Sequence, residues 1–167
     1  MNQIYRLPRI ESVLRSRPQA VASLRGDVLY PNLFGTVRFY GHPYGTLVVV
    51  EVQGLPDLQN ACASPIFGFH IHEGGTCTGN ADDHFADTRT HYNPQGCPHP
   101  YHAGDLPPLF SANGYAISVC LTDRFTVQEI IGKTVIIHAM PDDFFTQPSG
   151  NAGVKIACGE IFGHYHR

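Results

Sequence analysis

The sequence of 167 residues predicts an all-β domain, a sandwich or barrel made of about eight short strands. Short segments rich in β-branched and apolar residues recur along the chain, and several of them alternate apolar with polar positions. The 17 glycines and 13 prolines favour many turns and loops. No segment has the long amphipathic pattern of an extended helix. Together these observations favour strands joined by turns and loops.

The strand-like segments follow one another from residue 20 onward. They are 20–27, 35–41, 46–53, 66–73, 114–122, 134–138 and 153–162. The second and third form a predicted hairpin, because His42-Pro43-Tyr44-Gly45 supplies a turn between them. A turn of helix is predicted at 128–131, and two loops interrupt the series, at 74–113 and 140–151. A loop as long as the first is unusual in a compact domain and indicates a functional role.

The chain divides into an N-terminal extension, 1–19, and one domain, 20–167, because its length suits a single core. In the extension, Ile10, Val13 and Leu14 predict one short amphipathic turn, and the extension is expected to be docked on the domain or partly disordered. The extension is polar and basic and has no apolar stretch of the kind that a secretion signal needs. A cytoplasmic location is therefore expected.

Composition excludes two classes of partner. The net charge is −3 and the 11 lysines and arginines are dispersed, so no surface for nucleic acid is expected. No apolar run approaches the roughly 20 residues of a membrane-spanning helix, so no membrane partner is expected. The five cysteines are odd in number, so at least one thiol is unpaired within the chain.

Most of the 10 histidines fall in three short strings. His70 and His72 are separated by one residue in a predicted strand, so both side chains point to the same face and could reach one metal ion. His138 ends another predicted strand. Each observation has a simpler alternative: His70 and His72 could be two surface residues, and His138 could be half-buried and bonded to a backbone carbonyl.

The third string contains His91, His99, His102 and Asp105. Three histidines and one carboxylate are a suitable tetrahedral zinc set, and four nitrogen ligands suit Cu(II). The three strings supply seven candidate ligands, whereas two separate four-ligand sites need eight. One shared ligand resolves the count. His91 lies between the two groups and is the expected bridge, because an imidazole that has lost both ring protons can bind two cations.

Five motifs in the sequence resemble those of the copper,zinc superoxide dismutases. They are GFHIHE at 68–73, HYNP at 91–94, HAGDL at 102–106, IIGKTVIIH at 130–138 and GNAGVKIACG at 150–159. They come in the family's order, and with the flanking strands the resemblance spans roughly residues 22–162. It implies an eight-stranded Greek-key β-barrel, an immunoglobulin-like sandwich in architecture, with long zinc and electrostatic loops.

The resemblance also implies a role for each clustered residue. The copper ligands would be His70, His72, His91 and His138. The zinc ligands would be His91, His99, His102 and Asp105. Asp142 would join copper-side to zinc-side histidines by hydrogen bonds. The family's disulfide would link Cys77 to Cys158, although two free thiols are the alternative in a reducing cytoplasm.

The activity that the resemblance implies is dismutation of superoxide to dioxygen and hydrogen peroxide, with a redox-cycling copper beside a structural zinc. His91 would bridge the two ions and pass on a proton, and Lys155 would attract the anion. The alternatives are a non-catalytic metal-binding relative and a copper-only dismutase. Some family members form dimers, through more than one interface, and others are monomers, so a homodimer stays an open alternative.

Three departures from the family pattern bear on these roles. Lys155 stands where the family has an arginine, so orientation of the bound anion should suffer while its attraction survives. Both functional loops are short, and Cys97 is an alternative to His99 because a thiolate binds zinc well. Arg89 could add positive charge beside the copper, although a solvated loop arginine is the simpler interpretation.

The remaining cysteines and histidines are expected to have no role in the site. Cys62 and Cys120 are expected to be structural thiols. The other histidines are expected at the surface, namely His42, His84, His164 and His166.

Overall fold

The computed structural model describes residues 9–57 and 65–164. Nine strands form within these residues: β1 Ala20–Gly26, β2 Phe34–His42, β3 Gly45–Gln53, β4 Ile66–Phe67, β5 Phe69–His72, β6 Leu109–Phe110, β7 Tyr115–Thr122, β8 Thr134–His138 and β9 Lys155–Gly163. Seven make one antiparallel sheet in the order β5-β8-β9-β1-β2-β3-β7, which curls into half of a barrel. Strands β4 and β6 pair separately. The predicted all-β class is confirmed.

The hairpin of β2 and β3 forms where the sequence predicts it. Its ladder runs from Phe34 opposite Gln53 to His42 opposite Gly45. Gly45 has a φ of 128°, a backbone conformation that glycine adopts without steric cost, so the turn can close tightly. Val48 and the other inward-facing residues of the hairpin are buried in the main core.

The predicted single strand at 66–73 is wrong, because the chain breaks at Gly68 into β4 and β5. The Gly68 N–H donates to the Met140 carbonyl, and its own carbonyl accepts from the His138 N–H, both at 2.8 Å. A Cβ at this position would lie 2.8 Å from the Ala152 Cβ, so only glycine fits without a shift. The break lets β4 pair with β6 while β5 pairs with β8.

The long loop predicted at 74–113 is irregular except for β6 and a 3₁₀ turn at Ala86–Thr88. A disulfide between Cys77 and Cys158 fixes its first part to β9 across 81 residues of sequence. This confirms the disulfide that the resemblance implied. The covalent link adds to backbone hydrogen bonds of the loop, such as those from the Glu73 N–H to the Thr90 carbonyl and from the Tyr92 N–H to the Ile71 carbonyl.

Two short helices complete the fold, α1 at Ile10–Leu14 and α2 at Val127–Ile130. Helix α1 packs Val13 on Tyr40, Leu47 and Val49, on the outer face of the sheet. The described part of the N-terminal extension is therefore docked on the domain. Within the described residues, no helix combines the length and apolar character needed to cross a membrane.

Candidate metal centre

Strands β5 and β8 divide their side chains between two faces of the sheet. Because side chains alternate along a strand, Phe69, Ile71, Val135 and Ile137 point into the main core. The opposite face carries His70, His72 and His138 beside Ile136, which packs with residues of the long loop. These three histidines are therefore buried between a rigid ladder and the loops that cover it.

His91 joins these three histidines from the long loop. It forms an isolated bridge with His72, and its ring centroid lies 3.9 Å from that of His70. One ring nitrogen from each of His70, His72, His91 and His138 lies within 4.8 Å of the others, and all four residues are buried. The structure thus brings together the four side chains that the sequence predicts as copper ligands.

Hydrogen bonds at the far side of each ring select which nitrogen faces this cluster. The Nδ1–H of His72 donates to the Arg89 carbonyl at 2.9 Å, and that of His138 donates to the Gly153 carbonyl at 3.1 Å. In both rings Nε2 then keeps its lone pair. These two Nε2 atoms lie 3.3 Å apart. Two lone pairs at that distance repel each other unless a cation lies between them.

Within the two clusters, three buried histidine nitrogens have no hydrogen-bond partner among the described residues. They are Nδ1 of His70, Nε2 of His91 and Nδ1 of His99. An unpaired buried polar atom costs about 1–3 kcal/mol. Ligation of a metal ion would satisfy each of them, so these atoms fit a centre that holds metal.

The second cluster contains His91, His99, His102 and Asp105, whose ligand atoms also lie within 4.8 Å of one another. The Asp105 carboxylate lies 2.7 Å from Nδ1 of His91, 3.1 Å from Nδ1 of His99 and 3.3 Å from Nδ1 of His102. Three nitrogens around one carboxylate are the donor set of a tetrahedral zinc site. His91 presents Nδ1 to this cluster, while its Nε2 is the unpaired atom on the other side.

Asp142 connects the two clusters from behind. Its Oδ2 accepts from Nε2 of His70 at 2.7 Å, and its Oδ1 accepts from Nε2 of His99 at 2.9 Å. Both rings therefore present Nδ1 to their clusters. The carboxylate also accepts the Phe144 N–H at 2.7 Å. One buried side chain thus fixes ring orientation in both halves of the centre.

Burial favours the neutral form of His70, His72 and His138, which is the form that binds metal. Burial lowers the pKa of His70 to about 4 and that of His138 to about 3. It also lowers the pKa of His72 well below its usual value. Burial would raise the pKa of Asp142, but hydrogen bonds from His70, Phe144 and His99 outweigh it and hold that pKa well below its usual range.

Two residues that sequence reasoning missed hold the second cluster in place. Arg124, just after β7, donates from Nη1 to the carbonyls of Pro100, His102 and Asp105 at 3.0–3.2 Å. Gln147 accepts the His99 N–H at 3.0 Å and donates to the His99 carbonyl at 2.7 Å. Both contacts join segments far apart in sequence, and no local pattern marks them.

Cys97, the sequence-based alternative to His99, belongs to neither cluster of the described residues. Its backbone N–H and carbonyl pair instead with the amide side chain of Asn93. Cys120 packs against the main core, and burial raises the pKa of its thiol to about 11, which suits a structural thiol.

Three of the four histidines expected outside the site lie in the described residues. His84 is 42% exposed and bonds to Asp27 at 2.7 Å, while His42 and His164 are half-buried. Cys62 and His166 lie outside the described residues.

A cavity of about 520 Å³ gives access to the first cluster and is lined by His72, His91 and His138. Arg89 and Lys155 line the same cavity. The Lys155 ammonium donates to Asp83 Oδ2 at 2.7 Å and to the Phe85 carbonyl at 3.0 Å. The lysine that the sequence predicts to attract an anion therefore lies at the mouth of the centre, in an ion pair.

Comparisons with known proteins agree on one family. Residues 33–161 match the sequence model of the copper/zinc superoxide dismutases. A Cu-Zn superoxide dismutase of Photobacterium leiognathi is 35% identical over 143 residues, 76% of this chain and 78% of the relative. One from Legionella pneumophila is 37% identical over 139 residues, 78% of this chain and 79% of the relative.

Solved structures show the same fold. The Cu/Zn superoxide dismutase of Brucella abortus has a TM-score of 0.69 at 24% identity, with 84% of this chain and 98% of the other covered. A double mutant of a SOD-like protein from Bacillus subtilis also has a TM-score of 0.69, at 27% identity, with 86% and 97% covered.

Proposed function

Because the chain belongs to the copper/zinc superoxide dismutase family and is a superoxide dismutase that uses copper and zinc, we propose how its clustered side chains divide between the two ions. Copper is held by His70, His72, His91 and His138. Zinc is held by His91, His99, His102 and Asp105. The single observation that carries this assignment is the position of His91, which has one ring nitrogen in each cluster.

The reaction converts two superoxide anions and two protons into dioxygen and hydrogen peroxide. When bound, copper supplies the one-electron chemistry, and zinc serves to hold its ligands in place. The protein's own contribution begins with preorganisation. Hydrogen bonds to Asp142, Arg89 and Gly153 already orient the rings of His70, His72 and His138. Little reorganisation is then needed at each turnover.

His91 is the proposed proton carrier. Its Nδ1 is engaged beside Asp105, whereas its Nε2 is buried and unpaired, and the residue lines the access cavity. A proton held at Nε2 would be within the cavity through which the anion arrives. Lys155, at the same mouth, is proposed to contribute to attraction of the anion.

The two alternative functions are distinguished by metal content. All the expected copper-side and zinc-side residues are present and clustered, so the structure offers no reason for a non-catalytic or copper-only protein. Protein reconstituted with both metals should contain about one copper and one zinc per chain. Zinc alone would support the non-catalytic alternative, and copper alone would support the copper-only dismutase.

The test of the assignment is a pair of histidine variants. His138→Ala removes a ring from the first cluster only, so we expect loss of copper and of dismutase activity with zinc retained. His42→Ala is the matched control, because His42 ends β2 outside both ligand clusters, and the change should leave both metals and the activity unchanged. Retention of copper and activity in His138→Ala would refute the assignment.

The homodimer stays a prediction, which light scattering of the purified protein would test.

A further inference from the structure

The charged side chains around the access cavity differ in whether they form ion pairs. The cavity that exposes His72, His91 and His138 is lined by two cations, Arg89 and Lys155. It is also lined by three carboxylates, those of Asp27, Asp82 and Asp83. An incoming anion therefore meets more carboxylates than cations, and its attraction depends on which positive charge is free.

Lys155 is not free. Its side chain is 14% exposed, and its ammonium is 2.7 Å from the Asp83 carboxylate. Burial raises the pKa of Asp83, but the hydrogen bond from Lys155 contributes to a net lowering, so the carboxylate stays charged. A lysine and an aspartate at this distance act together as a dipole with no net charge. Their combined field falls off faster with distance than that of a single cation.

Arg89 is in the opposite situation. Its side chain is exposed, and within the described residues no carboxylate or carbonyl accepts from its guanidinium. Its backbone is nevertheless fixed to the centre, because its carbonyl accepts from Nδ1 of His72 and its chain runs on to His91 two residues later. The guanidinium is thus a free charge on a backbone anchored to the copper-side cluster.

The backbone of Arg89 is strained in a way that favours glycine. Its φ of 62° and ψ of −142° lie in a region that L-residues rarely occupy. Holding a non-glycine residue there costs about 1–3 kcal/mol, and such strain tends to collect at functional sites. Glycine would supply the same carbonyl to His72 without that cost. The cost of a side chain at this position directs attention to what the guanidinium of Arg89 does in the cavity.

We propose that the guanidinium of Arg89 is the principal binding group for small anions at this mouth, and that the ion-paired Lys155 makes only a smaller contribution to their attraction. Its planar fork can hold a small anion by two parallel hydrogen bonds, which an ammonium cannot do. The ligands are compact monoanions, with superoxide as the substrate. This inference rests on the proposed copper site, because it places the anion beside that site.

The test uses the copper,zinc-loaded full chain and two readouts. One is kcat/KM for superoxide as a function of ionic strength, and the other is azide affinity measured by visible absorption of the Cu(II) protein. For Arg89→Gln we expect about a tenfold loss of kcat/KM, at the low end of electrostatic steering effects, with a matching loss of azide affinity. Arg25→Gln removes the same charge from β1, away from this cavity, and should change both by less than about twofold.

A second variant separates anion binding from structural support. Arg89→Gly relieves the strained backbone while it removes the charge, so we expect a higher Tm together with the same loss of azide affinity. Arg89→Lys keeps the charge without the fork, and should retain the ionic-strength dependence while azide binds less tightly. If the side chain of Arg89 served only to stabilise the fold, Tm would instead fall in both Arg89→Gly and Arg89→Lys. That result would overturn the proposal.

The outcomes keep this proposal separate from the dismutase assignment. If the wild type dismutates superoxide and Arg89→Gln equals Arg25→Gln in both readouts, the proposal fails and the assignment stands. If the wild type binds copper and azide without turnover, and Arg89→Gln weakens azide about tenfold, the anion site stands and the proposed function fails. If neither activity nor azide affinity depends on Arg89 or on copper, both fail.

Discussion

The copper-side and zinc-side halves of the centre are built by different means. On the copper side, His70, His72 and His138 project from two paired strands whose other face is the main core. On the zinc side, His99, His102 and Asp105 come from an irregular loop with no ladder of its own. Both halves nevertheless place four ligand atoms within the same 4.8 Å limit.

The difference shows how each half gains its precision. Strand pairing and core packing set the copper-side geometry without help from the metal, because moving one ring would disturb buried neighbours. The zinc-side loop depends on individual links: a disulfide, the Asp142 carboxylate and the Arg124 guanidinium. Removing these links one at a time should therefore weaken the loop half more than the strand half.

Of the three links, removal of the disulfide should cause the largest loss of free energy. Cys77→Ser opens a link that spans 81 residues and ties the long loop to β9. A cross-link over a loop of this length stabilises a protein by about 2–5 kcal/mol, so we expect a loss of that size in the free energy of unfolding. Urea unfolding of the metal-free protein measures it.

Cys97→Ser is the matched control for this variant. Cys97 lies in the same long loop, forms no disulfide and belongs to neither ligand cluster of the described residues. We expect it to change stability by less than about 0.5 kcal/mol, as for a substitution away from buried contacts. A similar loss in both variants would show that the link does not support the loop.

The same contrast explains what the sequence could predict. Alternation predicts β2 and β7, and runs of apolar and β-branched residues predict β3 and β8, all nearly to the residue. The spacing of His70 and His72 places both on one face. The zinc-side loop has no period, so its ligands were identified only by composition and resemblance. The sequence did not predict the break at Gly68, because the break depends on a close approach to Ala152, a contact between distant segments.

Two further features of the site could not be predicted from the sequence, because they too depend on contacts between distant segments. The pairing of Lys155 with Asp83 and the three carbonyls that meet Arg124 are fixed by loop paths rather than by local sequence. Choice between Cys97 and His99 as a ligand also requires the loop path, since both are good zinc donors. Sequence reasoning therefore succeeds where backbone periodicity determines position, and it stops where individual side-chain contacts do.

Asp142→Asn should cause the second-largest loss. It tests the difference between the two halves directly, because zinc affinity and copper affinity are measured on the same variant. His70 and His99 donate to different carboxylate oxygens of Asp142, and an amide replaces one of these oxygens by an NH2 group that cannot accept, so one ring loses its fixed orientation. We expect zinc affinity to fall about 10–100-fold, as for other residues that orient metal ligands. Copper affinity should fall less, because backbone carbonyls still orient His72 and His138.

Competition with a chromophoric chelator measures both affinities. Asp57→Asn is the matched control, since Asp57 is exposed and outside both clusters of the described residues. An equal loss for copper and zinc would contradict the comparison, because it would mean that the strand half depends on Asp142 as much as the loop half does.

Arg124→Gln should cause the smallest loss of the three substitutions that remove a link of the zinc-side loop. It removes one Nη1 that donates to the carbonyls of Pro100, His102 and Asp105, but it leaves every ligand in place. We expect zinc affinity to fall about fivefold to tenfold, equivalent to about 1–1.4 kcal/mol, a small net loss because Arg124 is exposed and water can replace its hydrogen bonds. Copper affinity should not change.

The same chelator competition gives the result, with Arg38→Gln as the control. Arg38 pairs with Glu51 on the exposed face of the sheet, where ion pairs contribute little. Unchanged zinc affinity in Arg124→Gln would show that the zinc-side loop holds its shape without this guanidinium.

The most direct test of the whole account is a copper titration of the zinc-loaded protein, with dismutase activity and bound copper measured on the same samples. We expect activity to rise in proportion to bound copper and to stop rising at one copper per chain, because the structure offers one cluster of four histidine nitrogens in the described residues. Full copper occupancy without dismutase activity, or activity that does not follow bound copper, would contradict the account.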